Sequence, residues 1–568
     1  MYFWFFKLKK WDKKTAETRR RNCTVWPKFP DTPEKKQPLP PGRLLLTARN
    51  RPASGNTPAH AFVPVCLSSD PVKDSPCRCA ALPPHKCGGQ GLSFRRTFHP
   101  GCVSSDSAAF CFSSSEKRIP QLSTVHFPLS LTERSFFMLP AQFLARMESQ
   151  LGDEFPEFLK SFDRPRAVAL RMNPLKGEPP RLPFVMAPVP WEPMGYYYDP
   201  ESRPGLHPCH DAGVYYLQEA SAMAPVALLD PQPGERVLDL CAAPGGKTTQ
   251  IAGRMLGQGL LICNEIHPRR ARILSQNIER LGIANALVLN EEPASLAKRF
   301  RGFFDRILVD APCSGEGMFR KESAALEDWS EENVALCARR QAEILDAAAG
   351  MLRPGGRLVY STCTFAPAED EDTVAAFLTR HPDYAPETVE APWFRAGENG
   401  SFRLLPHKLL GEGHFAAVLR RMDGDRELPP EEPGQKLPKC AEVFLKEQGI
   451  VLPEGTGVLF GDTCFRIPEG TPSLRGLRVL RPGLELGTVK KDRLEPAHAL
   501  ALWLRPRPGD PRLPFDSPEL AAYLRGETVP GNRKGYCVVC AENYTLGWAK
   551  GDGTTLKNHY PKGLRRMR

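Results

Sequence analysis

Two cysteines lie where the sequence changes from an apolar run to a turn. Cys313 follows the run 305–310, and Cys363 follows the run 357–361. Thiolates are good nucleophiles near neutral pH, so two thiols beside one cofactor site would suit covalent catalysis. One cysteine alone would be weak evidence, because cysteines are often buried as small hydrophobic residues. A structural disulfide is the other interpretation, and a reducing cytosol disfavours it.

A glycine-rich turn precedes both cysteines. It lies between the apolar run 237–240 and a helical pattern that starts at Lys247, so backbone N–H groups of the turn can approach a cofactor closely. The residues of the turn are Cys241, Ala242, Ala243, Pro244, Gly245, Gly246 and Lys247. The next apolar run, 260–264, leads into Glu265, whose carboxylate is spaced to accept hydrogen bonds from both hydroxyls of a ribose. Spacing alone leaves an ordinary βαβ turn open as the alternative.

Apolar runs alternate with helical patterns through this part of the chain. The predicted strands are 237–240, 260–265, 286–290, 305–310 and 357–361, and the predicted helices include 268–281 and about 331–352. This alternation predicts an α/β fold with a doubly wound parallel sheet, in which ligands lie outside the carboxyl ends of the strands. The polar residues that fall at those ends are the glycine turn, Glu265, Asn290, Asp310, Cys313 and Cys363. The sequence therefore predicts that they share one site.

The predicted helix over 268–281 has an expected orientation. The residues expected to face the core are Ile273, Ile278 and Leu281, and the expected solvated charges are Arg269, Arg270, Arg272 and Arg280.

The residue types at the strand ends match the needs of cytosine methylation at carbon 5. That carbon becomes an enamine-like nucleophile only after a thiolate adds at carbon 6, and it then attacks a sulfonium methyl group. A carboxyl group that protonates or hydrogen-bonds ring nitrogen 3 helps the addition, and Asp310 could supply it. A base must then remove the proton from carbon 5 so that the thiol leaves.

Three motifs together resemble the hallmarks of the RsmF/Sun-type (NOP2/Sun family) RNA cytosine-5 methyltransferases. They are the turn 241–247, Asp-Ala-Pro-Cys-Ser-Gly-Glu-Gly-Met-Phe-Arg-Lys at 310–321, and Ser-Thr-Cys-Thr-Phe-Ala-Pro-Ala-Glu-Asp-Glu at 361–371. The segment Leu-Lys-Asn-His-Tyr-Pro-Lys-Gly-Leu-Arg at 556–565 resembles the terminal RNA-binding module of the RsmF branch. The resemblance implies a Rossmann-like S-adenosylmethionine-dependent methyltransferase domain, with a small N-terminal α/β region and a β-rich, PUA-like C-terminal region.

The resemblance also implies a role for each site residue. Cys363 matches the family nucleophile, Cys313 the cysteine that assists product release, and Asp310 the carboxylate at the base edge. The residues that match the S-adenosyl-L-methionine site are 241–247, Glu265, Asn290 and Asp310. Asn290 falls where the family contacts the adenine side; many members carry an acidic residue near it, and here Glu291 follows.

The substrate that the resemblance favours is a cytosine in small-subunit (16S) ribosomal RNA, because the long C-terminal extension is typical of that branch. A transfer RNA target stays open. A protein of another class, a non-catalytic RNA-binding assembly factor that keeps the cofactor fold, is the rival hypothesis. The trio of Cys313, Cys363 and Asp310 favours the enzyme, since binding alone would not need it.

The resemblance covers about 138–568 and suggests a domain organisation. The predicted parts are an N-terminal RNA-binding subdomain at 138–230, the catalytic domain at 231–421, a linker at 422–438 and the RNA-binding C-terminal region at 439–568. Residues 1–137 are rich in Pro, Ser, Arg and Cys without a sustained period. We interpret them as disordered, or as a non-native extension upstream of a start at Met138.

The distribution of charge bears on RNA binding. Residues 138–430 contain 32 Lys/Arg and 40 Asp/Glu, a net charge of −8, whereas residues 431–568 contain 22 and 16, a net charge of +6. The positive charge that could serve RNA therefore lies near the C-terminus. There His559 and Tyr560 alternate with cations, a composition that suits phosphates and stacked bases. A solvated basic tail is the alternative.

Other potential ligands do not form a recognisable metal site. The candidates are Cys77, Cys79, His85 and Cys87, then His207, Cys209 and His210, and the single pair Cys537 and Cys540. Their spacings match no common zinc pattern, so we expect no metal. The sequence also has no apolar stretch long enough for a membrane span, and we expect a cytoplasmic monomer.

Overall fold

The structure of the protein is a computed structural model that describes residues 139–567. The predicted extension over 1–137 and the proposed start at Met138 lie outside the described residues. Within 139–567, no helix is both long and apolar enough to cross a membrane. The same part of the chain contains no group of three or more His, Cys, Asp or Glu side chains placed to hold a metal ion.

The described chain begins with two short helices and a small antiparallel sheet. The helices are α1 (Ala141–Leu151) and α2 (Phe155–Ser161), and the strands are β1 (Ala169–Met172), β2 (Val185–Pro188), β3 (Gly195–Tyr198) and β4 (Tyr215–Leu217). The strands lie in the order β2-β3-β1-β4. In α1, Phe143 and Met147 are buried because residues four apart share one helix face. Helices α3 (Pro208–Asp211) and α4 (Ala224–Leu229) then lead into the central sheet.

Five parallel strands form the middle of a ten-stranded sheet. They are β5 (Arg236–Asp239), β6 (Leu260–Asn264), β7 (Ala286–Leu289), β8 (Phe304–Asp310) and β9 (Leu352–Thr362), in the spatial order β9-β8-β5-β6-β7. The chain moves outward from β5 through β6 and β7 and then returns to the other side of β5 for β8 and β9. Strand order thus reverses between β5 and β8, and such a point opens a crevice outside the carboxyl ends. The predicted Rossmann-like α/β fold is confirmed.

Both faces of this sheet are covered. On β5, Val237 packs into one hydrophobic cluster and Leu238 into another, because successive side chains of a strand point to opposite faces. This explains why the parallel strands are continuous apolar runs rather than alternating patterns.

The complete sheet contains antiparallel strands as well as parallel ones. The prediction of a parallel sheet did not include the antiparallel strands. Its antiparallel strands are β10 (Tyr384–Pro386), β11 (Arg395–Ala396), β12 (Ser401–Leu404), β13 (His414–Arg421) and β16 (Val479–Arg481). β13 pairs with β9, and β16, from beyond the predicted linker, pairs with β7. β16 covers an edge of the sheet that would otherwise expose unpaired backbone groups.

The structure corrects the expected orientation of the helix predicted over 268–281. The helices around the sheet are α5 (Gly246–Arg254), α6 (Pro268–Arg280), α7 (Pro293–Ala297), α8 (Ser323–Glu327), α9 (Glu331–Ala349) and α10 (Glu371–Arg380). The prediction that Ile273 faces the core is wrong: it is 47% exposed, while Leu274 and Ile278 are buried. Arg280 is also not a solvated charge. It is half-buried and donates hydrogen bonds to the carbonyls of His210 and Tyr215 at 2.9 and 3.3 Å.

The C-terminal part contains two further sheets. The first consists of β14 (Thr456–Phe460), β15 (Thr463–Ile467), β17 (Leu484–Lys490) and β18 (Arg493–Pro496). The second consists of β19 (Arg512–Leu513), β21 (Lys534–Ala541), β22 (Tyr544–Asp552), β23 (Thr555–Asn558) and β20 (Val529–Pro530), in that spatial order. The helices are α11 (Lys439–Glu447), α12 (His498–Trp503) and α13 (Pro518–Arg525).

Candidate active site

Three neighbouring strands bring the predicted catalytic residues to one edge. β8 and β9 are in a register that pairs Asp310 with Ser361, so Cys363 lies just beyond that pair. β13 pairs Phe415 with Thr362, which places His414 at the same edge on the other side of β9. Asp310 ends β8, Cys363 follows β9 and His414 opens β13, so all three lie at the same end of three adjacent strands, where ligands are expected.

A cavity of about 650 Å³ lies at this edge. The predicted site residues that line it are Cys241, Ala242, Ala243, Pro244, Gly246, Lys247, Asp310, Cys313 and Cys363. The structure thus brings the glycine turn, both thiols and the carboxylate to a single wall. Gly245, Glu265 and Asn290 are not part of this wall.

The two thiols are in contact. The Sγ atoms of Cys313 and Cys363 are 3.1 Å apart, and the backbone N–H of Cys363 donates to Sγ of Cys313 at 3.3 Å. The hydrogen bond to Cys363 and, after it, burial raise the pKa of the Cys313 thiol well above its ordinary value. Cys313 therefore keeps its proton near neutral pH and can donate it in a hydrogen bond to a charged Cys363 sulfur.

Asp310 is held from two sides. The Lys247 ammonium lies 2.8 Å from Oδ2, and the Ser361 hydroxyl donates to Oδ1 at 2.8 Å. Burial lowers the pKa of Lys247, but the charge of Asp310 and the hydrogen bond to it, with smaller contributions from Cys363 and Asp239, leave the pKa above its ordinary value. Lys247 is therefore a fixed positive charge beside the carboxylate, in the cavity that also contains Cys363.

The glycine turn is supported by a residue of the N-terminal sheet. Gly245 adopts a φ of 113°, a conformation that favours glycine. Arg171 of β1 is buried and donates to the carbonyl of Gly246 at 3.1 Å and to the hydroxyl of Thr249 at 2.8 Å. It also donates to Gln218 at 3.0 Å. The N-terminal sheet thereby fixes the first turn of α5.

Asp239 has a buried carboxylate oxygen without a hydrogen-bond partner within 139–567. It ends β5 and lines the cavity, and its Oδ2 accepts from the Thr248 hydroxyl at 2.6 Å. Its buried Oδ1 has no hydrogen-bond partner among the described residues. Burial and, less strongly, the charge of Asp310 raise the pKa of Asp239 to about 7, while Thr248 opposes the shift. A buried carboxylate oxygen without a partner is costly, so this atom fits a cationic or N–H ligand.

Glu265 and Asn290 lie behind the cavity wall. Glu265 is paired with Arg270 at 3.2 Å and accepts the N–H of His267 at 2.9 Å. Arg270 lines the cavity and also donates to the carbonyl of Ala243 at 2.7 Å. Asn290 donates from Nδ2 to the carbonyls of Glu265 and Ile266 at 2.7 and 2.9 Å. In this geometry Asn290 orients the loop that carries Glu265, and the predicted ligand contacts of both remain predictions.

A buried carboxylate joins the two cysteine loops, and sequence reasoning assigned it no role. Glu316 accepts the N–H of Phe365 at 3.1 Å and the indole N–H of Trp329 at 2.9 Å, and it forms an ion pair with Arg146 of α1. The neighbouring N–H of Gly317 donates to the carbonyl of Cys363 at 2.9 Å. A Cβ at Gly317 would lie 2.6 Å from the carbonyl of Gly413, so only glycine allows this approach.

The cavity has further residues that were not predicted as site residues, and three of them are Tyr216, Gln218 and His414. Tyr216 and Gln218 come from the end of β4, and His414 opens β13. The sequence signal for His414 was a polar residue at the start of an otherwise apolar strand. Without knowledge that β13 pairs with β9, that signal did not indicate a place beside Cys363.

A larger cavity, of about 790 Å³, lies at the opposite end of the strands. Its walls include Arg236, Leu260 and Ala284, which belong to or precede the starts of β5, β6 and β7. It contains neither thiol and lies away from the carboxyl ends, so the smaller cavity is the candidate active site.

The C-terminal sheet presents a basic face. Tyr536, Lys550 and Lys557 occupy adjacent positions across β21, β22 and β23, and the Lys550 ammonium lies 5.4 Å from the Tyr536 ring centre. The exposed His559 contacts Tyr536 with ring centres 5.4 Å apart. The prediction that Tyr560 is available to stack on a base is wrong, because it is 2% exposed and packs against Tyr523. Tyr536, which sequence reasoning did not single out, is a half-buried aromatic residue of this face, and His559 is an exposed ring beside it.

The strand order, the glycine turn at the switch point and the polar strand ends define a Rossmann-like methyltransferase domain. Residues 226–420 match the family described as 16S rRNA methyltransferase RsmB/F. Three other models match the N-terminal domain of 16S rRNA methyltransferase RsmF at 139–220, the RsmF rRNA methyltransferase first C-terminal domain at 443–504 and the methyltransferase RsmF PUA domain at 511–566. The chain belongs to the RsmF family of 16S rRNA methyltransferases, which confirms the resemblance seen in the motifs.

Similar proteins extend over most of the described chain. Ribosomal RNA small subunit methyltransferase F of Erwinia tasmaniensis is 32% identical over 478 residues, covering 77% of this chain and 98% of the relative. The protein of the same name from Escherichia coli K12 is 32% identical over 462 residues, covering 75% and 96%. The crystal structure of a methyltransferase homolog protein from Pyrococcus horikoshii is 28% identical, with a TM-score of 0.45, and covers 52% of this chain and 100% of that one.

Proposed function

We propose that the protein uses S-adenosylmethionine to methylate carbon 5 of a cytosine in 16S ribosomal RNA, through a covalent bond between Cys363 and the base. The observation that carries the proposal is the contact of the Cys313 and Cys363 sulfurs in a cavity that also holds the Asp310–Lys247 pair. A nucleophile, a group that can assist its departure and a carboxylate are the parts that addition to a pyrimidine requires.

The cavity suits the cofactor. The N-terminal end of α5 and the glycine turn provide backbone N–H groups, and the unpaired Oδ1 of Asp239 can accept from the cofactor's amino group. Glu265 would reach the ribose after a change in its pairing with Arg270. When bound, S-adenosylmethionine supplies an electrophilic methyl group on a sulfonium sulfur. The protein's own residues must prepare the base to receive it.

The first step that these residues perform is addition to the ring. The Cys363 sulfur bonds to carbon 6 of the cytosine, and its proton passes through the Asp310 carboxylate to ring nitrogen 3. Lys247 and Ser361 hold Asp310 in place, so the carboxylate needs no reorganisation during the transfer. Carbon 5 then carries the electron density that accepts the methyl group.

The second step releases the product. A water molecule from the solvent takes the proton from carbon 5, the bond between carbon 6 and the Cys363 sulfur breaks, and nitrogen 3 returns its proton through Asp310 to that sulfur. Negative charge develops on the Cys363 sulfur, 3.1 Å from Cys313. Because Cys313 keeps its proton, its thiol donates to the departing sulfur and stabilises it.

The C-terminal basic face supports an RNA substrate. Lys550 and Lys557 provide charge for phosphates, and Tyr536 with His559 provides rings on which bases can stack. The catalytic part is net acidic, so this face supplies an attraction for RNA that the cavity region lacks.

The identity of the product tests the proposal. The purified protein is incubated with S-adenosylmethionine carrying a labelled methyl group and, in parallel samples, with 16S rRNA or transfer RNA. One portion of each RNA is digested to nucleosides, and another is kept intact and mapped by bisulfite sequencing. The expected product is 5-methylcytidine at a defined position. Label in another nucleoside contradicts the reaction, label only in transfer RNA selects the alternative substrate, and no label in any RNA favours the assembly factor.

Cofactor affinity should depend on pH through Asp239. With its pKa raised to about 7, this carboxyl group is protonated and neutral below that pH, and it gains the charge that attracts an amino cation above it. Because binding requires the ionised fraction, we expect affinity to rise roughly tenfold between about pH 6 and about pH 7.5. Calorimetric titration with S-adenosylmethionine measures this change. An Asp239→Asn protein should show weaker binding and a flat profile over the same range; an unchanged slope would contradict the assignment.

A further inference from the structure

His414 is a cavity residue without a role in the reaction described above. It is 4% exposed, opens β13 beside Cys363 and lines the same cavity as Asp310 and Lys247. Its Nδ1 lies 2.9 Å from the hydroxyl oxygen of Ser221. Within the described part of the chain its Nε2 has no hydrogen-bond partner, and because the side chain lines the cavity, this nitrogen is the one left for a ligand there.

The proton on the imidazole can be located from the residues behind it. Glu219 accepts hydrogen bonds from the Ser221 hydroxyl, and also from the backbone N–H groups of Ser221, Ala222 and Glu412, each at 3.0 Å. Every one of these partners is a donor, so Glu219 acts as a carboxylate acceptor. The Ser221 hydroxyl therefore gives its single proton to Glu219 and accepts from His414 with its lone pair. This fixes the proton of His414 on Nδ1.

The ring stays neutral near physiological pH. Burial and then the positive charge of Lys247 lower the pKa of His414 to about 3. A neutral imidazole with its proton on Nδ1 has a lone pair at Nε2. The cavity that holds Asp310 thus also contains a fixed hydrogen-bond acceptor at the start of β13.

We infer that His414 selects cytosine over uracil by accepting a hydrogen bond at Nε2 from the exocyclic amino group on carbon 4 of the target base. The inference rests on the proposed function and assigns a specificity-determining residue to it. Cytosine has an amino donor on carbon 4, next to the ring nitrogen that Asp310 serves, whereas uracil has an oxygen acceptor there. Two acceptors facing each other repel, and buried polar groups left unpaired give strong discrimination. Ser221 and Glu219 are positioning residues for this contact.

The test compares two RNAs that differ only at the target base. One carries the cytosine identified by the mapping experiment, and the other carries 2-pyrimidinone, the same ring without the amino group. Both are incubated with a Cys313→Ala protein, in which the adduct should persist, and the rate of adduct formation is measured under single-turnover conditions. Because each variant is read on both RNAs, a general loss of structure or cofactor binding lowers both rates together.

When His414→Ala is introduced into the Cys313→Ala protein, the rate of adduct formation on the cytosine RNA should fall roughly 10- to 100-fold. The rate on the pyrimidinone RNA should stay nearly unchanged. His414→Gln, whose amide oxygen can accept, should restore much of the cytosine rate. Should the alanine variant not fold, Ser221→Ala keeps the imidazole but frees its tautomer and should give a smaller loss, again on cytosine only. His407→Ala, a buried histidine outside the cavity, is the matched control and should not change the ratio of the two rates.

Equal losses on both RNAs, or no loss on either, would overturn the role of His414 while leaving the covalent mechanism in place. If the Cys313→Ala protein itself forms no adduct with the cytosine RNA, the proposed function fails, and this inference fails with it. The two failures are therefore distinguished by the single variant before His414 is changed.

Discussion

A Cys313→Ala protein is expected to remain bonded to its RNA on a denaturing gel, whereas a Cys363→Ala protein should form no adduct and should methylate at least about 10⁴-fold more slowly. The reason is the division of roles between sulfurs 3.1 Å apart. Cys363 forms the bond to carbon 6, so its loss removes the chemical route. Cys313 stabilises the sulfur that leaves, so its loss stops the reaction after the bond has formed.

The control for this pair is Cys337, another buried free thiol of the catalytic domain. It belongs to α9 and is not part of the cavity wall. Cys337→Ala should turn over at the normal rate and leave no lasting adduct. Equal adduct yields in the Cys313 and Cys363 variants would contradict the assignment, because each role belongs to one sulfur.

The place of the site could be predicted from the sequence because parallel strands end at a common edge. Asp310 ends one apolar run that was predicted as a strand, Cys313 follows the same run and Cys363 follows a second, and the glycine turn follows a third. The chemistry of these residue types and the topology of the sheet thus indicated the same location for the site. The family comparisons then agreed with the motifs.

The residues that complete the cavity could not be predicted, since they depend on pairings across long stretches of chain. Arg171 reaches Gly246 only because the small N-terminal sheet packs on α5, and His414 stands beside Cys363 only because β13 runs antiparallel to β9. Tyr560 was predicted wrongly for the same reason, because its surroundings in the fold differ from its surroundings in the sequence. Its neighbours in the sequence are cations, but its neighbours in space are Tyr523 and His498, so it is a core residue.

The predicted orientation of helix α6 was wrong for a more local reason. In α6, Ile273 and Leu274 are adjacent apolar residues, and a helix can bury only one of two neighbours fully. The buried set is Ala271, Leu274 and Ile278, spaced three and four residues apart. Hydrophobicity alone does not distinguish the two registers, whereas packing against the sheet does.

Asp310→Asn should lower the single-turnover rate of methylation by about 10³-fold at saturating cofactor. Asparagine keeps the shape of the side chain and can still accept from Ser361. It cannot carry the proton from Cys363 to ring nitrogen 3, and it leaves the ammonium of Lys247 without its carboxylate partner. Cofactor affinity, measured by calorimetry, should change much less than the rate, because the missing function is proton transfer to the base.

The same strand provides the matched control. Asp305 lies near the other end of β8, where it accepts the N–H of Arg236 at 2.7 Å and pairs with Arg353. Asp305→Asn therefore removes a partly buried carboxylate and an ion pair from β8 without touching the cavity. We expect it to lower the midpoint of thermal unfolding while methylation stays near the normal rate. If the two variants lost activity equally, the effect of Asp310 would be one of strand stability. A loss confined to Asp310→Asn ties the rate to the carboxylate that faces the base, since both variants change the same chemical group on the same element.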